Sequence, residues 1–163
     1  MQQAHLAQGD ALTLNAALVG RTYPPTKPYV VGREKVREFA TAIGDDNLAY
    51  HDVDAARALG YADVIAPPTF AFVIAYAGSS KAAMDPELGL DYSRVVHGEQ
   101  RFAYARPIVA GDAIIATPTI EAIRAVAGND ILTTRVDLAT EAGEHVATTT
   151  TVIVARGTAE EAS

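Results

Sequence analysis

The chain reads as an α+β fold: one antiparallel sheet of about five strands wrapped around a long apolar helix. Three observations lead there. Helical patterns crowd residues 32–85 and strand patterns crowd 94–156, so the two kinds of element are segregated rather than alternating. The segment "APPTFAFVIAYAGSSKAAM" spreads Phe70, Phe72, Val73, Ile74 and Tyr76 around most of a helix circumference, and such a helix must be covered on most sides. The strand-like segments are separated by short turn sequences, which suit antiparallel neighbours and not parallel ones.

Each element follows in order. An early strand is expected near "GRTYPP" or "YVVG". "GREKVREFATAIG" carries Val36, Phe39, Ala40 and Ile43 at helical spacing, and Gly44 supplies a stop. "VDAARALG" gives a second short helix closed by Gly60. The apolar helix is expected over 66–84, with Pro67 and Pro68 at its entry, where a missing N–H costs nothing. Small residues along it, Ala66, Ala71, Ala75 and Ala77, leave room beside the helix.

"RVVHGEQRFAYARPI", "DAIIATPTIEAIRAVA", "DILTTRVDLAT" and "HVATTTTVIVAR" are rich in Val, Ile, Thr and aromatic residues, as strands are. "VAGD", "AGND" and "EAGE" punctuate them, which suggests a meander with the apolar helix across its concave face. That arrangement is a hot-dog architecture. Another α+β sandwich with the helix on one face is the alternative. A single curved sheet leaves a long unpaired edge, so a dimer is expected, with a second copy or with a different chain.

The bulk numbers set outer bounds. With 163 residues and 49% hydrophobic content, one globular domain over residues 18–156 is expected. Residues 1–17 read as a flexible leading segment and 157–163 as a disordered tail. A net charge of −7 argues against a nucleic-acid partner, which needs Lys and Arg for phosphates. The absence of Cys excludes disulfides and thiolate chemistry and fits the cytoplasm. No apolar run approaches membrane-spanning length, so no membrane partner is expected. His5, His51, His97 and His145 are too scattered for a metal motif, and no dinucleotide fingerprint appears, so neither metal nor cofactor is expected.

Several stretches carry a resemblance. "GREKVREFATAIGDDN", a helix, "IAPPTF", "VVHGEQRF" and "RFAYARPIVAGD" occur in the order seen in MaoC-like, or hydratase 2, dehydratases. The similarity spans about 18–156 and is closest to HadA-type small subunits of (3R)-hydroxyacyl-ACP dehydratases. "HGEQ" also resembles the noncatalytic half of double hot-dog hydratases. The resemblance implies reversible dehydration of a 3-hydroxyacyl thioester, carried on CoA or an acyl carrier protein.

That family's catalytic loop reads G-D-x-N-P-[LIV]-H, and its Asp and His form the active dyad. Here Gly44, Asp45 and Asn47 match, Leu48 stands at the proline position and Tyr50 at the histidine position. His51 follows one step later. The reaction needs a base for the α-proton, an acid for the departing hydroxyl, and donors for the thioester oxygen. A tyrosine, ordinarily protonated at neutral pH, cannot replace a histidine base without a large shift of its pKa. If the loop is extended, His51 points to the opposite side from residue 50.

The catalytic candidates are therefore Asp45 and His51. Asp45 also has a structural reading as a turn-forming residue, and His51 as a surface residue bonded to Asp52 or water. Candidate substrate contacts are Thr69 and Phe70 at the helix start, where backbone N–H groups could hold the thioester oxygen. Val73 and Ile74 could line an acyl channel or simply fill the core. His97 could lie at a subunit junction, with Gly98 permitting close backbone approach. His5 and His145 read as solvated. Arg21, Lys27, Arg33, Lys35 and Arg37 could present a positive patch to CoA or a carrier.

Three functions remain open at this level. One is a subunit that shapes the acyl tunnel while a catalytic MaoC-like partner supplies Asp and His. Another is a self-sufficient homodimeric enoyl-CoA hydratase using Asp45 with His51 or His97. The third is a noncatalytic acyl-thioester binding module.

Overall fold

The computed structural model describes residues 13–157. The elements are β1 (Tyr29–Val30), α1 (Arg33–Ala42), α2 (Leu48–His51), α3 (Val53–Ala58), α4 (Ala71–Ala83), β2 (Val95–Tyr104), β3 (Ala113–Val126), β4 (Asn129–Thr140) and β5 (His145–Ala155). They form one five-stranded antiparallel sheet in the order β1-β3-β4-β5-β2. The helix α4 packs on β3, β4 and β5. This is the α+β hot-dog arrangement.

A single 3₁₀ turn, Pro68–Phe70, leads into α4, so the proline pair sits at the entry as expected. Ala71, Ile74, Ala75, Gly78 and Ala82 face the sheet. Gly78 allows the helix to sit close: a Cβ there would lie 3.4 Å from Ala116 Cβ and 3.5 Å from Val136 Cγ1. The other flank stays bare, with Tyr76 56% and Met84 71% exposed. One chain therefore covers only part of its apolar helix.

The hairpin from β3 to β4 turns on Ala127 (φ 49°) and Gly128 (φ 73°), the left-handed pair that a two-residue hairpin requires. The strands β3, β4 and β5 form the expected meander. The strand β2 does not join it in sequence order: it pairs with β5 at the far side of the sheet. The reason lies in residues 105–112. Ala66 N–H donates to Ile108 O at 2.8 Å and Ala110 N–H to Val64 O at 2.9 Å, so this stretch spends its backbone groups on the segment before α4. The "VAGD" sequence does turn, with Asp112 N–H on Val109 O at 3.0 Å, but it redirects the chain rather than closing a hairpin.

The two sheet edges differ. Beside β3 run residues 20–30, joined by Tyr23 N–H to Pro118 O at 2.9 Å, by Thr26 N–H to Ala116 O at 2.9 Å and by the short strand β1. Both stretches expected to hold an early strand thus lie along this edge. The outer edge of β2 has no strand beside it among the described residues.

The core has two parts. One gathers Phe70, Ile74, Val36, Tyr50 and the inner face of the sheet. The other joins Leu88, Ile120 and Leu132 to Leu14 and Leu18. Within the segment 1–17, Leu14 is thus packed into the core. Thr13 N–H also donates to the buried Asp130 carboxylate at 3.2 Å. His5 lies outside the described residues. Ile43, expected on the buried stripe of α1, is 49% exposed because that helix ends at Ala42 and the chain turns away.

Candidate functional site

The helix α1 ends in a two-bond cap: Gly44 N–H donates to Thr41 O at 3.1 Å and Asp45 N–H to Ala40 O at 2.9 Å. The left-handed φ of Gly44, 71°, makes this possible. The Asp45 carboxylate then accepts Asn47 N–H at 3.2 Å, and Asn47 Oδ1 accepts Ala49 N–H at 3.0 Å as the N-cap of α2. The matched Gly, Asp and Asn therefore build the loop with their own groups.

The loop is not extended at residues 48–51: it is a helical turn. Successive side chains are therefore about 100° apart rather than opposed. Tyr50 turns inward and is buried, while His51 is half-buried. The Tyr50 phenol lies beside the Asp45 carboxylate and the Asn47 amide. Burial, and then the Asp45 charge, push its pKa above the ordinary tyrosine value, which keeps it protonated. His51 Nε2–H donates to the Asp45 backbone carbonyl at 2.9 Å rather than to its carboxylate.

Near Tyr50, Ile65, Ala66, Pro68 and Tyr104 line a surface cavity. Tyr104 was not singled out by sequence. Its hydroxyl donates to Pro68 O at 2.5 Å and sits against Ala71 N–H, at the start of α4. Burial pushes its pKa up to about 12. Phe70 N–H is already used by Pro67 O at 2.9 Å. Tyr104 and this turn thus occupy part of the helix end expected to hold the thioester oxygen.

Thr69 is exposed and lines the next depression along β2, with Phe39, Phe72, His97, Gln100 and Phe102. Phe70 is fully buried, edge-on to Phe39 and Tyr29, and Ile74 is buried with it. Val73 packs at the core margin. His97 is exposed and edge-on to Phe72 at 5.8 Å between ring centroids. A third depression continues past His97 between α4 and the sheet. The three together follow the inner side of the bare edge strand.

Gly98 governs this line. It is the extra residue of a β-bulge between His97 and Glu99. The bulge shifts the alternation, so that His97 and Gln100, three apart, both face α4. A Cβ on Gly98 would meet Val154 Cγ2 at 3.2 Å and Val152 O at 3.4 Å, so the backbone it lets approach closely is that of β5. A lone glycine inside a strand pattern is the signal that points to such a bulge.

The basic candidates are mostly matched. Arg33 binds Asp63, with its closest contact at 2.6 Å, Lys35 binds Glu38, Arg37 binds Glu34, and Arg21 binds Asp85 and Glu87. Arg106 is clamped by Asp112 at 2.8 Å and Glu144 at 2.8 Å. His145 is exposed. Among the described residues no helix is long and apolar enough to cross a membrane.

Comparison with known proteins settles the family. A family model described as "FAS1-like, dehydratase domain region" matches residues 17–149. The chain belongs to the MaoC-like hot-dog dehydratases. It is 61% identical over 151 residues to a UPF0336 protein of Streptomyces coelicolor, covering 93% of this chain and 100% of that one. A solved MaoC-like dehydratase superposes with a TM-score of 0.80 at 38% identity; it covers 86% of this chain, which in turn spans 42% of that longer protein. The C-terminally truncated HadBC (3R-hydroxyacyl-ACP dehydratase) complex from Mycobacterium tuberculosis superposes with a TM-score of 0.76 at 32% identity, covering 84% of this chain and 96% of that one.

Proposed function

We propose that this chain is a subunit of a (3R)-hydroxyacyl-thioester dehydratase, equivalently an (R)-specific enoyl hydratase, that shapes the acyl tunnel while a catalytic MaoC-like chain supplies Asp and His. One observation carries the reading: Tyr50 stands beside Asp45 where the family's base would stand, buried and held protonated. A protonated phenol cannot take the α-proton. His51 is a weak substitute, because its Nε2 is committed to the Asp45 carbonyl. His97 belongs to a different depression from Tyr50.

The remaining features favour a tunnel-forming partner. The bare edge of β2 and the open flank of α4 offer a surface for a second hot-dog chain. The HadBC complex is itself an assembly of such chains, and the longer MaoC-like dehydratase has room for two such units. In the joint site, the partner's dyad would remove the α-proton and protonate the leaving hydroxyl. This chain would hold the acyl tail against α4 and exclude water.

The test is hydration of crotonyl-CoA and a longer trans-2-enoyl-CoA by the purified chain, alone and mixed with a catalytic MaoC-like chain. The expected result is no turnover alone and turnover on mixing. Full turnover by the chain alone overturns the proposal and favours the homodimeric hydratase. Ligand-induced thermal protection without turnover in either condition favours a binding module.

A further inference from the structure

A set of buried hydroxyls lies on the inner face of the sheet, away from the loop. Thr134 is 2% exposed, Thr149 0% and Thr151 6%. Thr149 Oγ1 has no hydrogen-bond partner, and Thr134 Oγ1 makes no hydrogen bond among the described residues. Thr151 Oγ1 donates to Gln100 Oε1 at 2.8 Å, which leaves its acceptor side open. Valine has the same shape without the cost of an unpaired buried hydroxyl, so core packing alone gives no reason for threonine here.

Thr134 and Thr151 are directly opposed on β4 and β5, and both line the third depression. Its volume is about 160 Å³, close to cavities that take about six carbon-sized atoms. Phe72, Tyr76, Ala83, Val95 and Ile153 form apolar walls. No Asp, Glu, Lys or Arg side chain lines it. Ser79, Ser80, Tyr92 and His97 complete the lining, and a mostly apolar site with a few hydroxyls suits an oxygen-bearing group on a short hydrocarbon.

Its place in the fold says which end of a ligand would reach it. The Tyr50 loop lies at the start of α4, whereas this cavity reaches Ser80 and Ala83 on its last turns. The nine helical steps from Ala71 to Ser80 span about 14 Å. That is the reach of a medium-length acyl chain lying along the depressions between.

The geometry points to a subsite for an oxygenated acyl tail: a hydroxyl or keto group near the far end of the chain, bonded by Thr134 and Thr151. This rests on the reading of the chain as an acyl-thioester subunit and narrows its substrate class. Thr134 and Thr151 are specificity residues, remote from the reacting carbons.

The test is calorimetric binding of hexanoyl-, octanoyl- and decanoyl-CoA and of their terminally hydroxylated counterparts. It uses the full chain, alone and with a catalytic MaoC-like chain, as wild type and as the isosteric Thr134→Val. In the wild type one hydroxylated ligand is expected to bind about tenfold more tightly than its parent. Thr134→Val is expected to abolish that preference and leave parent binding within about twofold. Equal binding of parent and hydroxylated ligands by the wild type overturns the subsite while leaving the acyl-thioester reading intact. So does a preference that survives in Thr134→Val. No binding of any acyl-CoA, alone or with the partner, overturns both.

Discussion

Gly78→Ala is expected to stabilise the chain, although Gly78 is buried at the contact between α4 and the sheet. Two terms favour it. Alanine gains about 0.8–1 kcal/mol over glycine inside a helix. A newly buried methyl adds about 0.8 kcal/mol. The opposing term is crowding. The added Cβ would meet Ala116 Cβ at 3.4 Å, Pro118 Cδ at 3.5 Å and Val136 Cγ1 at 3.5 Å. Those are the near limit of ordinary contact, so the helix shifts little and the crowding returns only part of the gain. The net is about 1 kcal/mol of added stability, or about 2–4 °C in Tm for a domain of this size. Urea unfolding followed by far-UV circular dichroism measures it as a higher midpoint with an unchanged slope. Gly78→Val adds two more methyl groups that find no space and is expected to lose about 1–3 kcal/mol. A lower midpoint for Gly78→Ala would refute the reasoning, because it would mean that the helix cannot yield by even a few tenths of an ångström.

Three further outcomes are expected. Tyr50→Phe should leave the hydration rate of the mixed complex within about twofold, whereas loss of a group active in proton transfer costs about 10²–10⁴-fold; steady-state kinetics on crotonyl-CoA separate the two. Arg106→Met removes the hydrogen bonds to Asp112 and Glu144 and leaves Asp112 partly buried, so it should cost about 2 kcal/mol in urea unfolding. Stability should also fall at both ends of the pH range, as read from Tm. Asp63 is held below the usual carboxylate range by Arg33, and Asp85 by Tyr23 and its neighbours, so their contribution is present above about pH 4 and lost as pH falls. Burial raises Tyr104 and Tyr23 to about 12, so their contribution is present below about pH 10 and lost as pH rises towards 12. Tyr104→Phe should flatten that alkaline limb.

What the sequence made legible follows from which forces are local. The helix α4 was visible because its apolar run is long and its proline entry is a one-residue signal; observed at 71–83, it falls inside the expected 66–84. The Ala127-Gly128 turn was visible for the same reason. The position of β2 was not, because nothing in "VAGD" says whether the next strand pairs with the last one. That depends on residues 64–66 taking the backbone groups of 108–110 from more than forty positions away. The burial of Leu14 and Leu18 is equally non-local, since their partners are Leu88, Ile120 and Leu132. At the loop, the exchange of histidine for tyrosine could be read directly, but the orientation of His51 required the helical turn. Tyr104 and Thr134 carried no motif. Their interest comes from what each hydroxyl meets, a helix end for one and an open cavity for the other.

The unequal sheet edges set how many chains can join. Beside β3, Pro24, Pro25 and Pro28 sit in the covering segment, and proline offers no donor to an incoming strand. Among the described residues, only β2 presents a free ladder. A monomer with one reactive end behaves like a chain terminator in polymer chemistry: its first coupling is also its last. Two such chains joined through β2 use up both free ladders, and strand addition stops at a pair instead of running on into a fibre.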